Sequence, residues 1–266
     1  MAIALGPIAA SHGYRLKAFD QIASTNAEAM AAAIAGERGP LWFVTTEQTA
    51  GRGRRGRAWV APRGNLAASI LELVDAPPAV AATLGFVAGL AIYAALRTVS
   101  AVAPEIPPPA FALKWPNDVL ADGAKLSGIL LEAETVGVGA LAVVAGIGTN
   151  IVAAPDNTPY AATSLHALGV QTSAEALFAA LSDGWVEYRG IWDNGRGFAE
   201  IRRLWLARAA GVGQPVSIKG GRAPVSGVFE TIDSAGCMIV ATADGRRVPV
   251  AAGEVFFGTA ASAGTE

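Results

Sequence analysis

The dipeptide Asp122-Gly123 lies between two apolar runs in FALKWPNDVLADGAKLSGILLEAE, residues 111–134. Asp-Gly accepts the positive φ that a type I′ turn needs at both central positions, so the pair predicts a two-residue β-hairpin. With that loop, Ala121 faces Ala124, Leu120 faces Lys125 and Asp118 faces Ser127. Alternation puts Asp118, Leu120, Lys125 and Ser127 on one face and makes Lys125 and Asp118 diagonal neighbours. Two readings of that pair stand: a shared ligand, or a surface ion pair.

The hairpin has candidate partners along the chain. LWFVTTE (41–47), NLAASILEL (65–73) and GALAVVAGIGTNI (139–151) read as strands. STNAEAMAAAIAG (24–36) reads as a helix, with Thr25 and Glu28 as a capping box and Gly36 as its stop. Thr172 and Glu175 form a second box ahead of a helix through AEALFAALSDGWVEYRGIW, and FAEIRRLWLARAA follows as another. No charge occurs between Asp75 and Arg97, a span long enough to cross a bilayer. Pro77 and Pro78 open it, and Ala and Gly dominate, which predicts a buried core helix from about Ala79. The proline-rich APEIPPPA then connects to the hairpin. Composition shifts at Gly211, after which β-patterned runs alternate with turns at Gly220-Gly221, Ser234-Ala235-Gly236 and Asp244-Gly245. That spacing predicts a small barrel of about five strands, giving domains at 1–210 and 211–266.

Hydrophobic residues make up 52% of the 266 and charged residues 16%, enough for a packed core and too apolar for disorder. A net charge of -2 argues against a generic nucleic-acid binder. A single cysteine, Cys237, fits a reducing compartment, and no secretory signal opens the sequence, so a cytoplasmic location without a membrane span is expected. Two histidines, His12 and His166, leave little material for a zinc site or a histidine-based triad.

Against that charge balance, EQTAGRGRRGRAW (47–59) gathers Arg52, Arg54, Arg55 and Arg57 on glycine-rich backbone. Gly51, Gly53 and Gly56 fit G-x-G-x-x-G after a strand, but Pro62 and Gly64 spoil the helix that a dinucleotide site requires. No Gly-Lys-Ser/Thr follows for a Walker A loop. Nucleic-acid binding, small-ligand phosphate binding and a solvated surface remain. Phosphate binding is the tightest, because glycine backbone N–H groups and guanidinium forks suit oxyanions. Only Lys17, Lys114, Lys125 and Lys219 are lysines among 20 basic residues, so lysine in LKWPND and AKLSG points to a need for a compact ammonium.

STN, EQTAGRGRRGRAW, KWPNDV, KLSGILLE and GIGTNI occur in the order seen in biotin protein ligases, which the chain resembles over about residues 14–258. The resemblance implies an α+β fold: a central mixed sheet covered by helices, of the biotin/lipoate ligase and class II synthetase-like kind, with a C-terminal SH3-like barrel. It implies a two-step activity in which biotin and ATP give biotinyl-5′-AMP, and a lysine of a biotin carboxyl carrier protein then takes the biotinyl group. ATP with Mg²⁺ is the implied cofactor; the metal ligands are left open. The arginine loop would close over an intermediate that water hydrolyses, which calls for backbone that is mobile and cationic together.

By motif position, the resemblance implies a biotin site of Ser24, Thr25, Asn26, Gln48, Gly51, Arg52, Gly53, Arg54, Lys125 and Gly128. Arg54, Trp59, Lys114, Asn117, Asp118 and Asn150 would serve ATP. Lys125 would bridge carboxylate and α-phosphate, Arg52 would hold the ligand, and Asp118 would accept a proton from the incoming lysine. Competing readings stay open: helix capping for Thr25, core packing for Trp59 and Trp115, a strand-end turn for Asn150, and solvent or pyrophosphate for Arg55 and Arg57. Two departures stand out. Ala58 occupies a position often basic in the family, and only a short lead precedes the catalytic motifs, where some relatives carry a helix-turn-helix, so DNA binding is not expected. Lipoate ligation, the nearest rival, lacks the histidine expected near the glycine loop.

Overall fold

The Asp122-Gly123 turn forms, with φ of 49° and 81°, and a seven-stranded sheet surrounds it. The computed structural model describes residues 2–101, 109–137, 139–156, 158–219 and 224–257. Most of the proline-rich connection and the Gly220-Gly221 turn fall outside these residues. The strands are β1 (Arg15–Phe19), β2 (Leu41–Thr45), β3 (Leu66–Val74), β4 (Phe111–Lys114), β5 (Asp118–Ala121), β6 (Ala124–Val136) and β7 (Ala140–Thr149). Their order is β1-β2-β3-β7-β6-β5-β4, parallel at β1–β2 and antiparallel elsewhere, so the sheet is mixed.

The hairpin register departs from strict alternation. Ala121 pairs with Ala124 and Leu120 with Lys125, but a bulge follows, so Val119 pairs with Ser127 and Asp118 with Gly128. One extra residue on β6, Leu126, causes the shift. Ser127 therefore does not face Asp118: it is fully buried, and its hydroxyl donates to Gly148 O at 2.7 Å.

Alternation splits the sheet's apolar residues between two layers. Leu41, Phe43, Leu71, Ala142 and Val144 pack under α2 (Thr25–Ile34) with Ala29 and Ala33. Trp42, Val44, Ile70, Val143 and Ala145 enter the larger core with α4 (Leu84–Ser100), α5 (Ala174–Trp192) and α6 (Phe198–Leu206). Two short helices, α1 (Pro7–Ser11) and α3 (Pro78–Ala81), precede α2 and α4 respectively. Thr83 interrupts the long apolar stretch; its hydroxyl donates to Val80 O and accepts from Trp192 Nε1 at 2.7 Å. Within Pro78–Ser100, 67% of the most apolar window is buried by the protein itself. Both expected capping boxes are displaced by one residue: Ser24, not Thr25, caps α2, and Ser173, not Thr172, caps α5.

Beyond Gly211, β8 (Pro215–Lys219), β9 (Val225–Ile232), β10 (Met238–Ala241), β11 (Arg247–Val250) and β12 (Glu254–Phe257) form an antiparallel sheet in the order β11-β10-β9-β8-β12. Val216, Phe229, Ile232 and Val240 belong to the same hydrophobic core as α4 and α6. Trp115 Nε1 donates to Gly236 O at 3.2 Å, which fixes this sheet against the β4–β5 turn. The free edge of β12 is thereby brought to the mouth of a cavity in the larger sheet.

Candidate active site

The cavity has a volume of about 630 Å³ and a floor of glycines on β6 and β7. A Cβ at Gly146 would sit 1.9 Å from Asn26 Oδ1, and one at Gly148 would sit 2.4 Å from the Trp59 ring. No other residue type leaves the floor flat enough for both neighbours.

At one end, the N-terminus of α2 holds a polar cluster. Gln48 Oε1 accepts from Thr25 N at 2.8 Å and from Thr25 Oγ1 at 3.1 Å. Ser69 Oγ lies 2.6 Å from Asn26 Oδ1, while Asn26 Nδ2 donates to Glu132 Oε2 at 2.8 Å and to Leu130 O. Ser24, Thr25 and Asn26 are all at most 5% exposed, so these bonds satisfy groups that burial would otherwise penalise. Thr25, freed from capping, has its hydroxyl in this cluster.

The arginine loop runs over the cavity as a narrow tongue. Gly53 N donates to Arg57 O at 2.7 Å and Trp59 N donates to Gly51 O at 2.9 Å, with Arg52 bridged to Ala58 between them. Arg55 and Gly56 take φ of 57° and 70° at its tip. Arg54 Nη1 donates to Asn117 Oδ1 at 2.9 Å, and burial, followed by repulsion from Arg55, pushes its guanidinium below the ordinary arginine value. Arg57 pairs with Glu254 of β12. Arg52 lies 3.7 Å from Glu132.

Lys125 and Asp118 meet across the hairpin at 2.7 Å, with side chains 16% and 21% exposed. Asp118 Oδ1 is buried and, although 2.7 Å from Lys125 Nζ, lies outside the angular range of a hydrogen bond to it, so this is a short ion pair. Lys114 projects nearby; burial pushes its ammonium below the usual lysine range, with Asp118 opposing the shift. The cavity thus converges five cations, Arg52, Arg54, Arg57, Lys114 and Lys125, and two carboxylates, Asp118 and Glu254, on a largely apolar, glycine-floored cleft.

The chain matches the biotin/lipoate A/B protein ligase family over residues 19–150 and the biotin protein ligase C-terminal domain over residues 211–258. It is 42% identical to the biotin–[acetyl-CoA-carboxylase] ligase of Paracoccus denitrificans, over 88% of this chain and 97% of that protein. The chain belongs to the biotin protein ligase family. Its fold is similar to the Aquifex aeolicus biotin protein ligase solved with biotin and ATP: TM-score 0.72, 24% identity, covering 91% of this chain and 98% of that one. The Leishmania major biotin protein ligase solved with biotinyl-5-AMP is 25% identical with a TM-score of 0.58, covering 90% and 99%.

Most residues singled out in the ligase sequence line the cavity: Ser24, Thr25, Asn26, Gln48, Arg52, Gly53, Arg54, Trp59, Lys114, Asn117, Asp118, Lys125 and Gly128. Asn150 does not. It is 2% exposed, its amide donates to Thr163 O at 3.1 Å, and it ties the end of β7 to the 158–163 segment, as a strand-end residue would. Gly51 is also off the wall; a Cβ there would meet Trp59 O at 2.4 Å, so its close approach is to the loop's own backbone. Trp115 touches the cavity but is 2% exposed and committed to Gly236. Arg57 pairs with Glu254 while its side chain stays half-exposed. Tyr160, Glu254 and Phe257 line the cavity and were invisible in the motifs, since they come from a loop and a strand far along the chain. Among the described residues, no group of three or more His, Cys, Asp or Glu is placed to hold a metal ion.

Proposed function

We propose that the protein attaches biotin to a lysine of a biotin carboxyl carrier protein, using ATP and passing through biotinyl-5′-AMP. The observation that carries this reading is the Lys125–Asp118 pair at 2.7 Å, set between the polar cluster of α2 and the cationic tongue. Biotin's ureido group suits the Ser24–Thr25–Asn26–Gln48 end, where donors and acceptors converge, and its apolar body suits the glycine floor. Its carboxylate then lies toward Lys125. Attack of a carboxylate oxygen on the α-phosphorus forms the acyl-phosphate bond as the bond to the β-phosphate oxygen breaks and pyrophosphate leaves. Lys125, Arg54 and Lys114 supply the positive field for charge that builds on the phosphoryl oxygens, a type of interaction whose loss costs on the order of 100- to 1,000-fold in rate.

Once Lys125 turns to the acyl-phosphate, Asp118 loses its partner and faces the cavity as a free carboxylate. It can accept the proton of the incoming carrier lysine, whose neutral amine attacks the acyl carbon; AMP leaves. Arg52 and Arg54 on the tongue keep water from the anhydride meanwhile.

Mg²⁺ fits this donor set as a nucleotide-borne ion, for a hard cation with few protein ligands needs only one or two carboxylates beside phosphate oxygens. Asp118 would hold it, the Asn117 amide oxygen being taken by Arg54, and it would supply charge neutralisation at the departing pyrophosphate. The C-terminal sheet, read as an SH3-like barrel from residue 211 onward, serves the nucleotide and carrier end of the cavity. Pyrophosphate exchange into ATP, run with biotin, with lipoate and with no acid, tests the whole reading. Exchange is expected with biotin alone; exchange with lipoate alone, or independent of acid, overturns it.

A further inference from the structure

Each of the four lysines lies over an aromatic ring: Lys17 over Phe43 at 5.5 Å, Lys114 over Phe257 at 5.4 Å, Lys219 over Phe256 at 5.5 Å, and Lys125 over Tyr160 at 5.1 Å. Among the described residues, Lys125 alone of the four has a second ring, Trp59 at 5.7 Å. Both distances lie within the reach of a cation–π attraction. Tyr160 is not placed there by a loose loop. Lys125 N donates to Ala161 O at 2.8 Å and Thr163 N donates to Lys125 O at 2.9 Å, so the segment carrying Tyr160 is stitched to the backbone of Lys125 itself. Asn150 anchors the far side through Thr163 O, and Thr158 Oγ1 donates to Tyr160 O at 2.5 Å.

A lysine stem is flexible, and a lone carboxylate neighbour would draw the ammonium into line with itself. Here the pair with Asp118 is short yet off the hydrogen-bond axis. Ring faces attract a cation without consuming an N–H donor, so they confine the ammonium while leaving its protons for an anionic ligand. We propose that Tyr160 is a positioning residue for adenylate formation: its ring face holds the Lys125 ammonium off the axis of Asp118 and aimed into the cavity.

The proposal rests on the ligase reading above, and the test separates the two. Biotin-dependent formation of pyrophosphate is measured for the full chain and for Tyr160→Phe, Tyr160→Leu and Tyr160→Met. Leu and Met keep apolar bulk at a half-exposed position and remove only the π face. Both are expected to lower kcat about fivefold to tenfold with KM for ATP changed less than twofold, and Phe to recover most of that loss. Equal rates for Phe, Leu and Met overturn the proposal, as does a rise confined to KM for ATP, which would make Tyr160 a direct nucleotide contact. Lack of biotin-dependent turnover in the unaltered chain would instead defeat the ligase reading.

Discussion

At the scale of single residues, the Lys125 ammonium decides whether the site can run its first step. Only 16% of its side chain is exposed and it belongs to no apolar core, so removing it should leave the fold intact. Lys125→Ala is expected to cut adenylation at least 100-fold with thermal stability nearly unchanged; near-normal pyrophosphate exchange by the folded variant would refute its role. Lys125→Arg should also be poor. A planar fork does not fit a slot bounded by Asp118, Trp59 and Tyr160. The sequence made Lys125 and Asp118 legible because a two-residue turn fixes the register of its nearest pairs. It misplaced Ser127 because a bulge residue carries no signature of its own in alternation. Asn150 carried two readings for a related reason: a polar residue at a strand end fits a ligand contact and a turn alike until the segment that buries it, residues 158–163, is known.

At the scale of elements, the arginine tongue and the buried Glu72 network show opposite uses of charge. Two of the tongue's arginines, Arg52 and Arg57, have side chains 49% and 52% exposed and carboxylate partners on other elements, Glu132 and Glu254, so these pairs contribute little to stability. Biotin plus ATP is therefore expected to slow tryptic cleavage within residues 52–57 severalfold, since phosphates give these side chains a reason to order. Equal cleavage with and without ligands would refute closure. Glu72 of β3 is the reverse. Its carboxylate accepts from Arg189 Nε at 2.7 Å, Trp185 Nε1 at 2.8 Å and Tyr14 OH at 3.1 Å, and burial first, then Glu72, drives the Tyr14 phenol well above its ordinary value. Arg189→Met strands a buried carboxylate and is expected to cost about 3 kcal/mol in urea unfolding, with biotin affinity unchanged. A loss under about 1 kcal/mol would mean that the pair is well solvated. The strands and helices joined by this network were legible from periodicity. The network was not, because Tyr14, Glu72, Trp185 and Arg189 come from distant parts of the sequence and nothing local marks them as partners. Cap positions were off by one because spacing to Glu28 and Glu175 ignores which residue leaves helical φ, and that residue is Ser24 or Ser173.

At the scale of the whole molecule, the C-terminal sheet acts on the cavity through a few contacts. Its strands were legible from the turns after Gly211, but its docking, Trp115 on Gly236 across 121 residues, had no local trace. Three links run from it to the ligand side: that indole bond, the Lys114–Phe257 contact at 5.4 Å, and the Arg57–Glu254 pair. Ending the chain near Ala210 would test all three at once, but it would also uncover Phe86, Phe198 and Trp115, which sit in a core shared with Val216 and Phe229. Loss of activity would then be hard to separate from loss of fold. Glu254→Gln isolates the electrostatic link, because it keeps the shape of β12 and removes the charge that holds Arg57 and draws on Lys114 and Arg54. If the sheet serves only stability, this variant transfers biotin to the carrier at the normal rate. If it helps order the tongue over nucleotide, biotin affinity by calorimetry stays within about twofold, while single-turnover adenylation and transfer fall severalfold. Raising salt should then narrow the gap between the two proteins, because screening weakens the exposed pair that only the unaltered chain possesses. A gap that is unchanged from low to high salt would assign the effect to packing of β12 rather than to its charge.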